Sequence, residues 1–307
     1  MKLAFMGNPE FALPSLKMVL ASNHELVAVI SNAPKPMGRK RVLKHTAIGE
    51  FAISKGLNFI ELDSFDNNCF KKLESLKVDI FIVVAFRILP EKFLSIPNIC
   101  SINLHGSILP QYRGAAPIQW ALMNGDKVTG VSVFKIEKRV DSGKIISQKQ
   151  MVIEDSDNFY SLSEKLSNLG AEIIIDVLNK FQENRIEYKE QDLSLITKAP
   201  KINKKMLQIN WAWSAEKINN WVRGLAPLPG MVTIYNNRKL KLIKTTFENR
   251  SIDSMPGVII TVSNVKLEVC TGKGILSILE LQQEGKTALY IEDFLRGSNI
   301  KIGDVFH

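Results

Sequence analysis

Along the first half of the chain, short apolar runs alternate with stretches in which apolar residues recur every three or four positions. The runs are "KLAFMG", "LVAVIS", "NFIEL", "VDIFIVVAF" and "CSINLH". The stretches between them predict helices over 12–22, 46–55, 67–76 and 90–95, with Pro14 in the first turn of its helix, where a missing N–H costs nothing. Runs this rich in Val and Ile and separated by helices read as parallel strands covered on both faces. The expected class is therefore α/β, with a doubly wound, mostly parallel sheet. Two further strand patterns, "TGVSVFKI" and "KIISQKQMVI", flank a tight "KRVDSG", and a long amphipathic helix follows over about 158–182. A first domain should close near residue 183.

From residue 184 to 204 the periodicity dissolves into a polar stretch, long for a loop inside a compact domain and read as a linker. Beyond it, "INWAWSAEKINNWVRGL" predicts a helix, followed by "MVTIY", "RKLKLIKTT", "GVIITVS", "KLEVCTG" and "GILSILELQ". Five short strands at this spacing suggest a small β-barrel of the OB-fold type over 205–307.

Charge sharpens this division. The 307 residues carry a net charge of +9, and residues 198–250 hold eleven Lys or Arg against two Glu, so this segment alone equals the total. Such asymmetry points to a polyanionic partner met mainly by the later part of the chain, against the plainer alternative of a solvated basic face. No apolar segment approaches the roughly eighteen residues of a membrane span, and the opening "MKLAFMGNPEF" is too short for a signal sequence. A soluble, cytoplasmic protein without a membrane partner is expected. Cys69, Cys100 and Cys270 lie far apart and suggest neither disulfides nor a zinc cluster.

Candidate chemistry gathers in "SINLHGSILPQYRGAAPIQW", residues 101–120. Asn103 and His105, two apart at the end of a strand, leave the same face at the sheet edge where open α/β folds bind ligands. The turn "GNPEF" lacks the glycines of a dinucleotide cradle; neither a P-loop nor a G-x-S-x-G elbow is present, and the four histidines have no metal-ligand spacing. General acid–base and amide chemistry remains, which suits acyl transfer to an amine. Asn103 could donate to an oxyanion and His105 could move a proton; Asp141, in "RVDSGKII", is the best carboxylate to orient the imidazole, although it could equally be a plain turn residue.

"NLHGSILPQYRGAAPIQWALMNGDKVTGVSVFKI", with "VDSGKII" after it, resembles the signature of the folate-dependent formyltransferases. "GNPEFALPSL", "PMGRK", "APKI", "INWAWSAEKINNWVRGLAPLPG", "PGVI" and "TGKGILSILELQ" extend the likeness to the tRNA-acting members over nearly the whole chain. The resemblance implies a Rossmann-like catalytic domain. It implies 10-formyltetrahydrofolate as formyl donor, without a metal, and methionine esterified to initiator tRNA as acceptor. Asn103, His105 and Asp141 would surround the formyl carbon, and Ser107, Ile108, Leu109 and Pro110 would hold the folate. Phe86 and Arg87 fall at the pterin pocket, where "AFRILP" replaces the family's Ala-Tyr-Gly, two apolar residues and Leu-Pro. The basic loop 31–45 would reach the acceptor stem through Arg39, Lys40, Arg41 and Lys44, although it lacks the family's second glycine and Pro-Ser-Pro; Lys204 and Lys205 would add to the tRNA face. Asn8 stands where Thr is usual. A monomer suffices for this task. The rivals are formyltransferases acting on glycinamide ribonucleotide or an amino-sugar nucleotide, and a noncatalytic RNA-binding module. The intact Asn, His and Asp disfavour the module, and the basic loop and second domain disfavour a small acceptor.

Overall fold

Seven strands form the frame of the first unit of this computed structural model, which describes residues 1–38 and 41–307. In chain order the elements are β1 (Lys2–Gly7), α1 (Leu13–Leu20), β2 (Glu25–Asn32), the hairpin strands β3 (Lys35–Met37) and β4 (Val42–Lys44), α2 (Ala47–Ser54), β5 (Phe59–Leu62), α3 (Asn67–Ser75) and β6 (Ile80–Val84). Then come α4 (Glu91–Leu94), β7 (Cys100–His105), the short β8 (Arg113–Gly114), α5 (Pro117–Asn124), β9 (Val128–Lys135), β10 (Ile145–Val152), α6 (Phe159–Gln182) and β11 (Lys198–Ala199). The sheet order is β10-β9-β7-β6-β1-β2-β5. β7, β6, β1, β2 and β5 run parallel, and β9 adds antiparallel to β7.

The central strands are buried on both faces, which is why they read as unbroken apolar runs: Leu3 to Met6 and Ile80 to Ile82 are fully inaccessible. Each such large side chain contributes about 1.5–3 kcal/mol relative to exposure. Two of the helices between them, α2 and α3, start on side-chain caps. Thr46 accepts from the Gly49 N–H to begin α2, and Asp66 accepts from the Cys69 N–H to begin α3. Strand order reverses between β1 and β6, so the carboxyl ends of β1, β6 and the adjacent β7 border the crevice in which such sheets hold ligands.

The chain divides into two compact units, the second made of residues 118–128, 152–162 and 200–307. The polar stretch 184–204 is split at Ala199/Pro200. Its first part is stitched into the first unit by β11, which pairs with β8. Most of its side chains are exposed, and Gln191 is the polar residue among them that is buried.

The second unit packs α7 (Ala215–Leu225) against an antiparallel sheet. The strands are β12 (Met231–Tyr235), β13 (Arg238–Glu248), β14 (Ile259–Val262), β15 (Leu267–Cys270), β16 (Ile275–Gln283) and β17 (Ala288–Tyr290), with α8 (Ile291–Arg296) after them. Ser214 caps α7, and Ile218, Val222 and Leu225 form its buried stripe at helical spacing. The chain end closes the gap between the outer strands β12 and β14. Ile234 and His307 exchange backbone hydrogen bonds at 2.8 and 3.0 Å, while Phe306 N–H donates to Gly257 at 2.9 Å and Ile259 N–H to Asp304 at 2.8 Å. Phe306 is 2 % exposed and plugs this end. No helix among the described residues is long and apolar enough to cross a membrane.

Candidate active site

β7 ends at the site. Ile102 and Leu104 are buried along its length, while Asn103 is half-buried and shares a face with His105. The Asn103 side-chain amide has no hydrogen-bonding partner among the described residues, so it can donate to a bound molecule. His105 is 6 % exposed, and its Nε2 lies 2.9 Å from the Tyr112 carbonyl. A carbonyl only accepts, so Nε2 carries a hydrogen. The other nitrogen, Nδ1, faces Asp141 Oδ2 at 3.8 Å. Nδ1 is therefore the atom at which this ring can take up or release a proton. The same Asp141 oxygen accepts from the Gly114 N–H at 2.8 Å, which fixes the carboxylate.

The backbone around the pair is held away from its preferences. Ala85, Tyr112 and Asp141 have φ of 47°, 58° and 51°. The left-handed region costs an L-residue about 1–2 kcal/mol, and it persists where surrounding contacts over-determine it, often at functional sites. Here Ala85 follows β6, Tyr112 meets His105, and Asp141 is the carboxylate itself.

The segment Ser107–Pro110 is fixed from beneath by two residues that the sequence did not single out. Ser132 of β9 stands opposite His105 in the strand register and is fully buried. Its hydroxyl donates to the Ser107 carbonyl at 2.7 Å and accepts from the Leu109 N–H at 3.0 Å. Gln148 of β10 donates to both Ser132 Oγ and the Leu109 carbonyl, at 2.8 and 2.9 Å. Ser107 Oγ itself donates to the Gln111 carbonyl, and Leu109 and Pro110 are buried. Ile108 is half-buried over Gly130, where any Cβ would strike its δ-carbon and the Lys149 carbonyl.

Phe86 is partly buried against the cluster containing Phe81, Leu89 and Phe93. Arg87 turns toward the loop after β5, donating to the Asp63 carbonyl at 2.9 Å with its guanidinium 4.9 Å from the Phe65 ring centroid. Arg113 donates from Nε and Nη2 to Gln191 Oε1 at 3.1 and 2.6 Å. Burial pulls its pKa down, and the Asp141 carboxylate opposes that shift.

Of the basic loop, Arg41 and Lys44 are exposed, the latter on the β3–β4 hairpin; Arg39 and Lys40 lie outside the described residues. Asn8 anchors the end of β2, its Oδ1 accepting from Ser31 Oγ and the Asn32 N–H, both at 3.0 Å. Lys204 and Lys205 sit exposed in the second unit, on a short turn capped by Asn203. Among the described residues no group of three or more His, Cys, Asp or Glu could hold a metal ion.

Comparison with known proteins matches residues 1–178 to the family "Formyl transferase" and residues 201–299 to "Formyl transferase, C-terminal domain". The chain is 43 % identical to the methionyl-tRNA formyltransferase of Thermodesulfovibrio yellowstonii, over 98 % of this chain and 97 % of the relative. It is 37 % identical to that of Caldanaerobacter subterraneus subsp. tengcongensis, over 99 % of each. Among solved structures, an N-formyltransferase from Helicobacter canadensis, in complex with folinic acid and dTDP-3-aminofucose, shares the fold. Its TM-score is 0.70 at 22 % identity, covering 92 % of this chain and 99 % of that one.

Proposed function

The chain belongs to the formyl transferase family, and on that premise we propose that it formylates the methionine carried by initiator tRNA, with 10-formyltetrahydrofolate as donor. The observation that carries this reading is the end-to-end likeness, both units included, to methionyl-tRNA formyltransferases. The concentration of the whole net charge in residues 198–250 supports it, because a polyanionic acceptor uses such a surface and a small one does not.

In the reaction, the α-amino nitrogen of methionine attacks the formyl carbon. A C–N bond to methionine forms, the C–N10 bond of the folate breaks, and one proton passes from the amine to N10. The Asn103 amide donates to the formyl oxygen as negative charge develops there, a contribution whose loss typically costs on the order of 10²–10³ in rate. His105 handles the travelling proton at Nδ1, with Nε2 pinned to Tyr112 and Asp141 steadying the charged imidazole. Ser107 to Pro110 form the wall that holds the folate in a near-attack position. Arg41 and Lys44, together with Arg39 and Lys40, meet acceptor-stem phosphates, and Lys204 and Lys205 add to the tRNA contacts. The enzyme acts in the cytoplasm as a monomer.

The test is a formylation assay with purified protein, 10-formyltetrahydrofolate and either initiator or elongator methionyl-tRNA. Formylmethionine should form on the initiator species. Formylation of an amino-sugar nucleotide with neither tRNA reacting would overturn the reading.

A further inference from the structure

One buried amide outside the residues assigned above reaches three parts of the site at once. Gln191 is 7 % exposed and lies on the polar stretch that precedes β11. Its Oε1 accepts both Arg113 donors, while its Nε2 donates to the Asp141 carbonyl at 3.0 Å and the Gly143 carbonyl at 2.8 Å. A primary amide has two acceptor lone pairs and two donor hydrogens, and all four are used. The surroundings also fix which end is which, since a guanidinium only donates and carbonyls only accept.

The turn that Gln191 clasps needs an outside support. Asp141 sits at φ 51°, and Gly143 presses so closely on the Lys135 carbonyl that a Cβ there would overlap it. Within the turn itself the hydrogen bonds are those of Ser142 to the Arg139 carbonyl, from N–H at 3.4 Å and from Oγ at 2.9 Å; neither engages Asp141 or Gly143. The same stretch of chain also grips the other side of the imidazole. Thr197 Oγ1 accepts from the Tyr112 N–H at 2.8 Å, and the Thr197 carbonyl accepts from the Arg113 N–H at 3.0 Å. Tyr112, in turn, is the residue whose carbonyl holds His105 Nε2.

We infer that Gln191 is a positioning residue for formyl transfer, the clasp that sets the Asp141 carboxylate against His105 Nδ1. The inference rests on the formyl-transfer reading. Gln191 touches neither the imidazole nor the carboxylate oxygens; it acts through the backbone of residues 141 and 143 and through Arg113. A neutral amide fits this task where a carboxylate does not, because a carboxylate could accept from Arg113 but would face the two carbonyls with lone pairs.

The test compares formylation by the full chain, with each substrate varied while the other is saturating, for wild type, Gln191→Glu, Gln191→Leu, Asp141→Ala and the double variant Asp141→Ala/Gln191→Leu. Rates are taken per folate-binding site, so that misfolded protein does not count. Both Gln191 variants should lose on the order of 10- to 100-fold in kcat, the scale set by about 1 Å of misplacement, with KM for folate and for tRNA within threefold. In the Asp141→Ala background, Gln191→Leu should cost less than threefold, because two residues acting as one unit are not additive. A kcat within threefold of wild type for both single variants would overturn the inference. So would a loss confined to KM, or a full second loss in the double variant. Absence of formylmethionyl-tRNA with the wild-type protein would instead remove the functional reading itself.

Discussion

Ser132→Ala should uncouple residues 107–110, the proposed folate wall, from the sheet that carries them. The hydroxyl is fully buried and joins three bonds, at 2.7, 3.0 and 2.8 Å. Its removal leaves the Ser107 carbonyl and the Leu109 N–H without that partner, while Gln148 keeps its bond to the Leu109 carbonyl. An unsatisfied buried backbone group costs about 1–3 kcal/mol, so two of them cost about 2–6 kcal/mol before any relaxation. Relaxation of the loop toward water would bring this to about 2–4 kcal/mol, part borne by global stability and part by the order of residues 107–110. A share of about 1.4 kcal/mol falling on the loop weakens folate binding tenfold, and twice that share a hundredfold. Calorimetric titration with 5-formyltetrahydrofolate reads the first share, and the melting temperature reads the second at roughly 2–4 °C per kcal/mol. A folate affinity within twofold of wild type and a melting temperature within about 1 °C would show that the three bonds support neither the loop nor the fold.

Four further outcomes follow from the same structure. His105→Ala should abolish transfer and Asp141→Ala should slow it on the order of 10²–10⁴-fold to a residual rate that can still be read, while tRNA affinity, measured by filter binding, stays within about threefold for both; equal loss of binding and turnover would mark them as structural residues. Lys44→Ala should raise KM for tRNA and leave KM for folate unchanged, and it should reduce the slope of log K against log salt by roughly 0.7–0.9 if one phosphate contact is lost. Burial holds the Cys100 thiol up at about 11 and pushes those of Cys69 and Cys270 up as well. All three should therefore resist alkylation at pH 8 until the protein unfolds, and because the unfolded thiol ionises first, Cys100 should draw stability down as pH rises from 9 toward 11. Phe306→Ala should cost about 3–5 kcal/mol by chemical denaturation, because Phe306 is packed at the barrel closure; a loss below about 1 kcal/mol would show that the closure carries little.

The framework of the first unit was legible because its strands are buried on both faces and its helices are amphipathic, so periodicity carried nearly all the information. Asn103 and His105 stood out because two polar residues ended an apolar strand. The supporting residues were silent for a physical reason. Ser132 and Gln148 lie on strands of mixed polarity, where a hydroxyl or amide looks like an outward-facing residue, and the groups they hold are 23 to 39 positions away. Gln191 and Thr197 sit in a stretch whose polarity reads as solvent exposure, yet they reach across 78 and 85 positions to Arg113 and Tyr112. Only the fold brings such partners together. The chain end shows the same limit: "GDVFH" has no strand pattern, and its role in closing the barrel follows from hydrogen bonds to β12 and to residues 257–259. Arg87, which the family likeness sets at the pterin pocket, shows in the structure contacts with the Asp63 carbonyl and the Phe65 ring that its neighbours in sequence do not announce.

The proposed role of Asn103, His105 and Asp141 is to pass a formyl group from a reduced folate to methionyl initiator tRNA. Rapid-quench measurement of labelled formyl on the tRNA reads this role, with wild type and His105→Ala each preloaded with labelled 10-formyltetrahydrofolate and mixed with saturating methionyl initiator tRNA to start the clock. The first turnover should yield close to one formylmethionyl-tRNA per wild-type enzyme and none on the same time scale from the variant. Label reaching tRNA at the wild-type rate without His105 would remove the imidazole from the transfer step, and no label reaching it with the wild-type enzyme would remove formyl transfer to tRNA altogether.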